Sequence, residues 1–156
     1  MKVRVGKNSF AVVDQHDHAR ISVLRWTLKT QPSGDKCARL STGPTIYMHH
    51  LVIGIPTDGL VVDHINGDGL DNRRVNLRFC TKAENCRNQV KRRKIKTSSR
   101  FKGVTWDKNR GKWLASITLN RKRHNLGRFT TEREAATAYN SAATRLFAKF
   151  AKLNAL

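Results

Sequence analysis

Apolar and polar positions change their spacing several times along the chain, and each change marks an element. Residues 2–13 open with Val3 and Val5 set between Lys2 and Arg4, the period-two alternation of a half-buried strand. Asp14-Gln15-His16-Asp17 then caps a helical stretch running to Trp26, and Gln31-Pro32-Ser33-Gly34-Asp35 reads as a loop. Residues 45–54 form an apolar segment that is a buried strand or a short helix. The run Leu60-Val61-Val62 ends in Asp63-His64. On a strand these two side chains point to opposite faces. Asn66-Gly67 and Asp68-Gly69 tolerate positive φ and turn the chain through an irregular loop toward a second strand at residues 77–80. Thr81-Lys82-Ala83-Glu84 fits a capping box, so a helix starts there with Asn85 in its first turn, where it can face back toward Asp63.

From residue 99 the pattern resets. Residues 101–106 read as a strand, 107–111 as a turn, and 112–119 alternate with Trp113, Ala115, Ile117 and Leu119 on one face. Lys112, Leu114, Ser116 and Thr118 form the other face. After an Asn120-Arg121 turn a third strand runs through His124 to Phe129, and Thr131-Glu132-Arg133-Glu134 is a second capping box. The helix behind it reaches about Phe147 and carries Ala135, Ala138, Tyr139, Ala142, Ala143 and Leu146 at helical spacing. These small residues let it lie close against the sheet. The expected fold class is α+β, with a strand-loop-strand-helix unit followed by a small three-stranded antiparallel sheet packed on one helix.

A chain of 156 residues allows one ordinary domain or two small ones, and the reset favours two: residues 1–90 and 99–156, joined by a basic linker at 91–98. Charge adds a partner. Thirty-one Lys and Arg against 11 Asp and Glu give a formal net charge of +20. No acid interrupts the stretch from Glu84 to Asp107, which holds Lys91, Arg92, Arg93 and Lys94. A polyanion is implied. A membrane-surface role is disfavoured, because the basic run lacks apolar residues at helical spacing and no segment approaches ~18 consecutive apolar residues. The opening residues are followed by polar ones rather than an apolar stretch, which predicts an intracellular, non-secreted protein. Cys37, Cys80 and Cys86 show no C-x-x-C spacing. Reduced structural cysteines follow, with neither a disulfide framework nor a structural zinc.

The chemistry concentrates in residues 61–88, VVDHINGDGLDNRRVNLRFCTKAENCRN. Turn geometry alone accounts for the glycines, Asn66 and Asp71, but not for an Asp-His pair at a strand end followed by Asn76 and Asn85. The phrases DHINGD and LDNRRVNLR, with the Asn-x-x-Asn of Asn85 and Asn88, resemble the ββα-metal (His-Me) finger of HNH endonucleases, and specifically the branch found in homing and phage-borne enzymes. That resemblance implies a finger at about residues 60–88. It implies Asp63 and Asn85 as ligands of one metal ion, His64 as general base, and Asn76 as the residue that holds the loop and orients His64. The third letter of the family name is here Asn85 rather than histidine, which favours a hard, oxygen-bound magnesium or manganese ion. Arg73, Arg74 and Arg78 are solvated loop residues or, beside a scissile phosphate, clamps on the backbone. Proteins of the branch also carry a tryptophan like Trp26 and a histidine like His49, which contacts the site or is a satisfied core residue.

FKGVTW, GKWLASI, LGRF and EREAATAYNSAATRL, ending in AKLN, are similar to the Apetala-type (ethylene-response-factor) DNA-binding domain, whose sheet enters the major groove while its other face packs on the helix. By position, the resemblance places Lys102, Thr105, Arg110, Lys112, Ser116, Thr118, Arg123 and Asn125 against DNA. Departures from the plant pattern at Thr105, Ser116, Thr118 and Asn125 leave the target open, because bidentate guanine readers are missing there. The linker's Lys91, Arg92, Arg93 and Lys94 are expected to track phosphates. Together these features predict a metal-dependent endonuclease that hydrolyses duplex DNA, encoded by a phage or mobile element. A non-enzymatic DNA-binding regulator is the alternative. A structured-RNA partner fits the charge, but the A-form major groove is too narrow for a sheet. Nicking against double-strand cleavage, and monomer against weak dimer, stay open.

Overall fold

Val3 and Val5 turn inward from Lys2–Val5 (β1), which pairs antiparallel with Ser9–Val12 (β2) through a turn at Gly6. This first hairpin opens a computed structural model that describes residues 1–31, 34–91 and 97–156. The chain divides into two compact units, Met1–Asn85 and Cys86–Leu156, so the division falls ahead of the basic stretch at 91–98.

In the first unit, β2 leads into Gln15–Ser22 (α1), and then Trp26–Thr30 (β3) pairs antiparallel with Lys36–Leu40 (β4). The expected helix to Trp26 is therefore too long by one turn. The indole explains the stop: buried in the core, Trp26 donates from Nε1 to the Ile21 carbonyl at 2.9 Å, occupying an acceptor in the last turn of α1. The ambiguous segment at 45–54 resolves as a helix, Met48–Ile53 (α2), whose Met48 and Val52 share one buried face at i, i+4 spacing. Val61–His64 (β5) then pairs antiparallel with Leu77–Cys80 (β6), and Lys82–Asn88 (α3) follows. One apolar core, built on Val5, Val13, Ile21, Trp26, Met48 and Leu77, ties both hairpins and α2 to β6.

In the second unit Val104–Asp107 (β7), Lys112–Leu119 (β8) and Lys122–Phe129 (β9) form an antiparallel sheet in that order. Asn120 and Arg121 both take positive φ, at 50° and 65°, the geometry of a tight two-residue hairpin turn. Glu132–Phe147 (α4) starts at a complete capping box between Thr131 and Glu134. Val104, Ala115 and Ile117 face the alanine-rich side of α4 and Tyr139. The first strand begins at Val104, three residues later than the alternation suggests, because Gly103 sits at φ +76° and breaks extended geometry. A Cβ on Gly103 would lie 2.7 Å from the Ser116 carbonyl oxygen and inside the Tyr139 ring. Gly103→Ala should therefore destabilise this unit by about 2–4 kcal/mol, combining a positive-φ penalty with overpacking. Thermal unfolding checks it, and an unchanged midpoint would refute it.

Candidate active site

Register places the site. Asp63 lies opposite Arg78 and His64 opposite Leu77, so Asp63 and His64 leave β5 on opposite faces. The loop between β5 and β6 is pinned by its own polar side chains. Asn76 accepts from the Asn66 amide at 2.9 Å and donates to the Asp71 carbonyl at 2.7 Å and to Asn66 Oδ1 at 3.0 Å. Asn66 in turn donates to Asp71 Oδ2, and Asp68 and Leu70 close turns through carboxylate and amide oxygens. Backbone bonds from Val12 to Leu70 and from Asn72 to Val12 stitch the loop to β2. Gly69 is glycine for lack of room, since a Cβ there would meet the Lys36 carbonyl oxygen at 2.2 Å.

Within this frame Asp63 is buried and its Oδ2 takes Arg78 Nε at 2.8 Å and Nη2 at 2.7 Å. His64 Nε2 lies 3.3 Å from Asn72 Oδ1, and the His49 ring stands edge-on to His64 with centroids 5.2 Å apart. His49 also stacks on Tyr47 and meets His50 edge-on. Burial lowers the His64 pKa below the ordinary histidine value against the opposing pull of the Asn72 hydrogen bond and the Asp63, Asp68 and Asp71 charges. His49 is lowered to about 3, first by burial and then by His64 and His50. Both rings are therefore neutral near pH 7. Thr81 and Glu84 form the expected capping box, with bonds of 2.8 Å and 3.2 Å, and Asn85 follows half-buried in the first turn of α3. Burial, aided by the Asp63 charge, pushes the Cys80 thiol up to about 11, so it stays protonated and is a poor metal ligand.

The arginines expected at phosphate are held internally. Arg78 belongs to Asp63, and Arg73 grips Asp71 through Nε at 2.8 Å and Nη2 at 2.6 Å. Arg74 reaches Asp17 with bonds of 2.9 Å and 3.0 Å, while its amide donates to Asp14. Each of Arg73 and Arg74 keeps about half its side-chain surface exposed, at 49% and 45%, so phosphate contact is open only from the outer side. Asp17 is buried; burial pushes its carboxyl up, but Arg74 and Arg20 together hold it below the usual range. At Asp71 the Arg73 bond lowers the carboxyl directly. A depressed folded pKa adds stability above the unfolded value of 3.8 and loses it as pH falls through the folded one. Thermal melts should show the first unit losing stability below about pH 4, and Asp17→Asn should flatten that acid limb. A limb of unchanged steepness would refute the pairing.

On the second unit, Thr105, Lys112, Ser116, Thr118, Arg123 and Asn125 lie on the sheet face turned away from α4. Arg110 is exposed in the β7–β8 turn. A bulge between Ala115 and Ser116 brings Asn125 opposite Ser116 and turns Leu126 into the core. Alternation alone misses Arg128, which shares this face and pairs with Asp107 at 2.8 Å. Lys102, expected against DNA, instead donates to the Arg87 and Gln89 carbonyls at 2.7 Å each, and burial lowers its pKa to about 8. Lys91 likewise donates to the Ser99 and Phe101 carbonyls at 2.9 Å and 3.0 Å. Both ammonium groups cap backbone near the start of the unit. Arg92, Arg93 and Lys94 lie outside the described residues. Trp106 stands edge-on to Trp113 and is 38% exposed.

Among the described residues no three His, Cys, Asp or Glu side chains converge as a metal cluster, and no helix is long and apolar enough to cross a membrane. Sequence reasoning missed Asn72, whose signal was only its place in the LDNRR phrase. A family model described as HNH endonuclease matches residues 46–87, and one described as AP2 domain matches residues 99–149. Over 151 residues, covering 96% of this chain and 76% of the relative, the sequence is 32% identical to "Uncharacterized HNH endonuclease L560" of Acanthamoeba polyphaga mimivirus. A 67-residue stretch, 43% of this chain and 54% of the relative, is 39% identical to "Protein 3.8" of Escherichia phage T7. No solved structure matches the chain. With a loop-pinned Asp-His pair, a following capped helix and a likeness over 96% of this chain to a relative named as an HNH endonuclease, the chain belongs to the HNH endonuclease family and carries an AP2 domain behind its HNH segment.

Proposed function

We propose that the chain is a metal-dependent endonuclease that hydrolyses phosphodiester bonds of duplex DNA, encoded by a phage or another mobile or viral element and acting inside the host cell. The observation that carries the reading is the half-buried, neutral His64 imidazole at the end of β5, next in sequence to the buried Asp63 carboxylate and bonded to Asn72 of the polar loop. HNH nucleases generally use a divalent metal ion, and the donors here fit one. Asp63 and Asn85 would hold it through a carboxylate and an amide oxygen, hard ligands suited to magnesium or manganese. Asp63 already shares Oδ2 with Arg78, so that guanidinium holds the carboxylate in place.

In the proposed reaction His64 takes a proton from a water whose oxygen attacks phosphorus in line. The P–O3′ bond breaks and leaves a 3′ hydroxyl and a 5′ phosphate. When bound, the ion stabilises charge on the phosphate oxygens and the leaving oxygen. Asn76 acts on this chemistry by holding the loop, and Arg78 by holding Asp63. The sheet face of the second unit, with Thr105, Lys112, Ser116, Thr118, Arg123 and Asn125, is the proposed duplex-binding surface. End-labelled duplex incubated with magnesium tests the reaction: products should carry 3′ hydroxyl ends that a polymerase extends directly. Ends that need a phosphatase first would contradict this bond cleavage.

Charge on that surface gives a second test. Replacing Arg110, Lys112 and Arg123 together by alanine should flatten the slope of log affinity against log salt by about 2–3, at roughly 0.9 per phosphate contact. Binding measured across a salt series reads it directly, and an unchanged slope would move the duplex to another face.

A further inference from the structure

Arg128 is not among the positions that the Apetala-type pattern places against DNA, yet its side chain lies across the sheet face turned away from α4. On β9 it stands opposite Leu114, which stands opposite Thr105 on β7. Its Nε donates to Asp107 Oδ2 at 2.8 Å. Asp107 ends β7, and β8 lies between β7 and β9, so the guanidinium reaches its partner only by crossing the middle strand. The carboxylate is anchored in turn, because the Asp107 carbonyl closes the β7–β8 turn by accepting from the Arg110 amide at 3.3 Å. We propose that Arg128, held by Asp107, is a specificity-determining residue that reads a guanine of the bound duplex through its major-groove edge.

Hydrogen-bonding capacity supports this assignment. An arginine carries five N–H donors in one plane. The Asp107 bond takes Nε, and among the described residues Nη1 and Nη2 have no hydrogen-bond partner. The side chain is 32% exposed, so a ligand on this face reaches it. Two parallel N–H groups match two adjacent acceptors, and in the major groove only guanine offers such a pair, O6 and N7. A phosphate also presents two oxygens, but the Asp107 carboxylate offsets the guanidinium charge and repels a phosphate, while the guanine edge is uncharged. The Arg128 bond, against the weaker opposing effect of burial, holds the Asp107 carboxyl below its ordinary value, so the anchor stays ionised at neutral pH. Arg123 differs. Its Nε bonds the neutral Ser116 hydroxyl at 3.0 Å, which leaves its charge uncompensated and suited to phosphate. Fixing the long Arg128 side chain before DNA arrives also removes rotamer freedom that binding would otherwise have to remove.

The inference rests on the reading of this sheet face as the duplex surface. The full chain, in EDTA to prevent cleavage, selects duplexes from a randomised pool. Affinities are then measured for the selected duplex with each G·C pair changed to A·T, and with 7-deazaguanine at each guanine in turn. The expected result is one guanine at which A·T weakens wild-type binding by about 5- to 100-fold, the worth of one good bidentate contact, and at which loss of N7 alone also weakens it. Arg128→Ala should erase the preference at that position only. Arg128→Lys, which keeps the charge and loses the fork, should do nearly the same. Asp107→Asn should weaken that preference while tightening binding to unselected duplex, because it removes a negative charge from the face. An ion pair that merely stabilises the sheet would lower the unfolding midpoint of these variants and leave every base preference in place, and that result overturns the proposal. So does a pool with no common guanine, or a wild-type chain that tolerates 7-deazaguanine at every selected guanine, whatever the variants do. An Arg128→Ala chain that keeps its preference while its salt slope flattens by about 0.9 also overturns it, since that is the mark of a phosphate contact. If replacing Arg110, Lys112 and Arg123 flattens the slope and Arg128→Ala changes no preference, this inference fails and the duplex surface stands. If neither set of variants alters binding, both fail.

Discussion

Replacing His64 by alanine is expected to lower strand cleavage by about 10²- to 10⁴-fold, the usual worth of a positioned general base, while duplex affinity barely moves. The two effects separate because the imidazole acts on water, and binding is proposed for the sheet of the second unit. The half-buried ring packs on His49 and bonds Asn72, so the variant also needs a folding control by circular dichroism. Mobility-shift and nicking assays on one preparation measure both quantities. Cleavage within a few-fold of wild type would remove His64 from the mechanism.

Asp63→Ala should fail in a different way. It removes the proposed carboxylate ligand, so cleavage falls and excess manganese restores part of it. It also leaves Arg78, 13% exposed, without its counter-charge, and an uncompensated charge at such a site costs about 2–4 kcal/mol once partial solvent screening is allowed for. Asp63→Asn keeps the volume and an oxygen, and should recover more stability than activity. The readouts are the unfolding midpoint and the metal concentration at half-maximal cleavage. An unchanged metal requirement in both variants would place the ion elsewhere.

The parts of this molecule legible in its sequence are those set by local physics. Period-two spacing gave β8 its faces, and two Thr-x-x-Glu boxes located α3 and α4 because capping is decided within four residues. Asp63, His64, Asn76 and Asn85 stood out by spacing within one short phrase. What escaped depends on residues far apart in the chain. Arg74 finds Asp17 across 57 positions, and no local pattern distinguishes it from a solvated arginine. Lys91 and Lys102 read as DNA contacts because charge is visible in sequence, whereas the carbonyls that they cap are not. The β3–β4 hairpin escaped because its strands carry little alternation, and Asn72 because its contacts to Val12, Leu70 and His64 lie in different segments. Gly103 delays the start of β7 for a reason held in Tyr139 and Ser116.

The most direct measurement of the central claim is conversion of supercoiled plasmid by the full chain in magnesium, beside the same reaction in EDTA and with His64→Ala. Nicked or linear product from the wild type in magnesium alone, and at most traces in the other two, is the predicted result. Plasmid that is bound and retarded yet stays supercoiled in magnesium and in manganese would contradict it, and would make the chain a DNA-binding protein on an HNH scaffold.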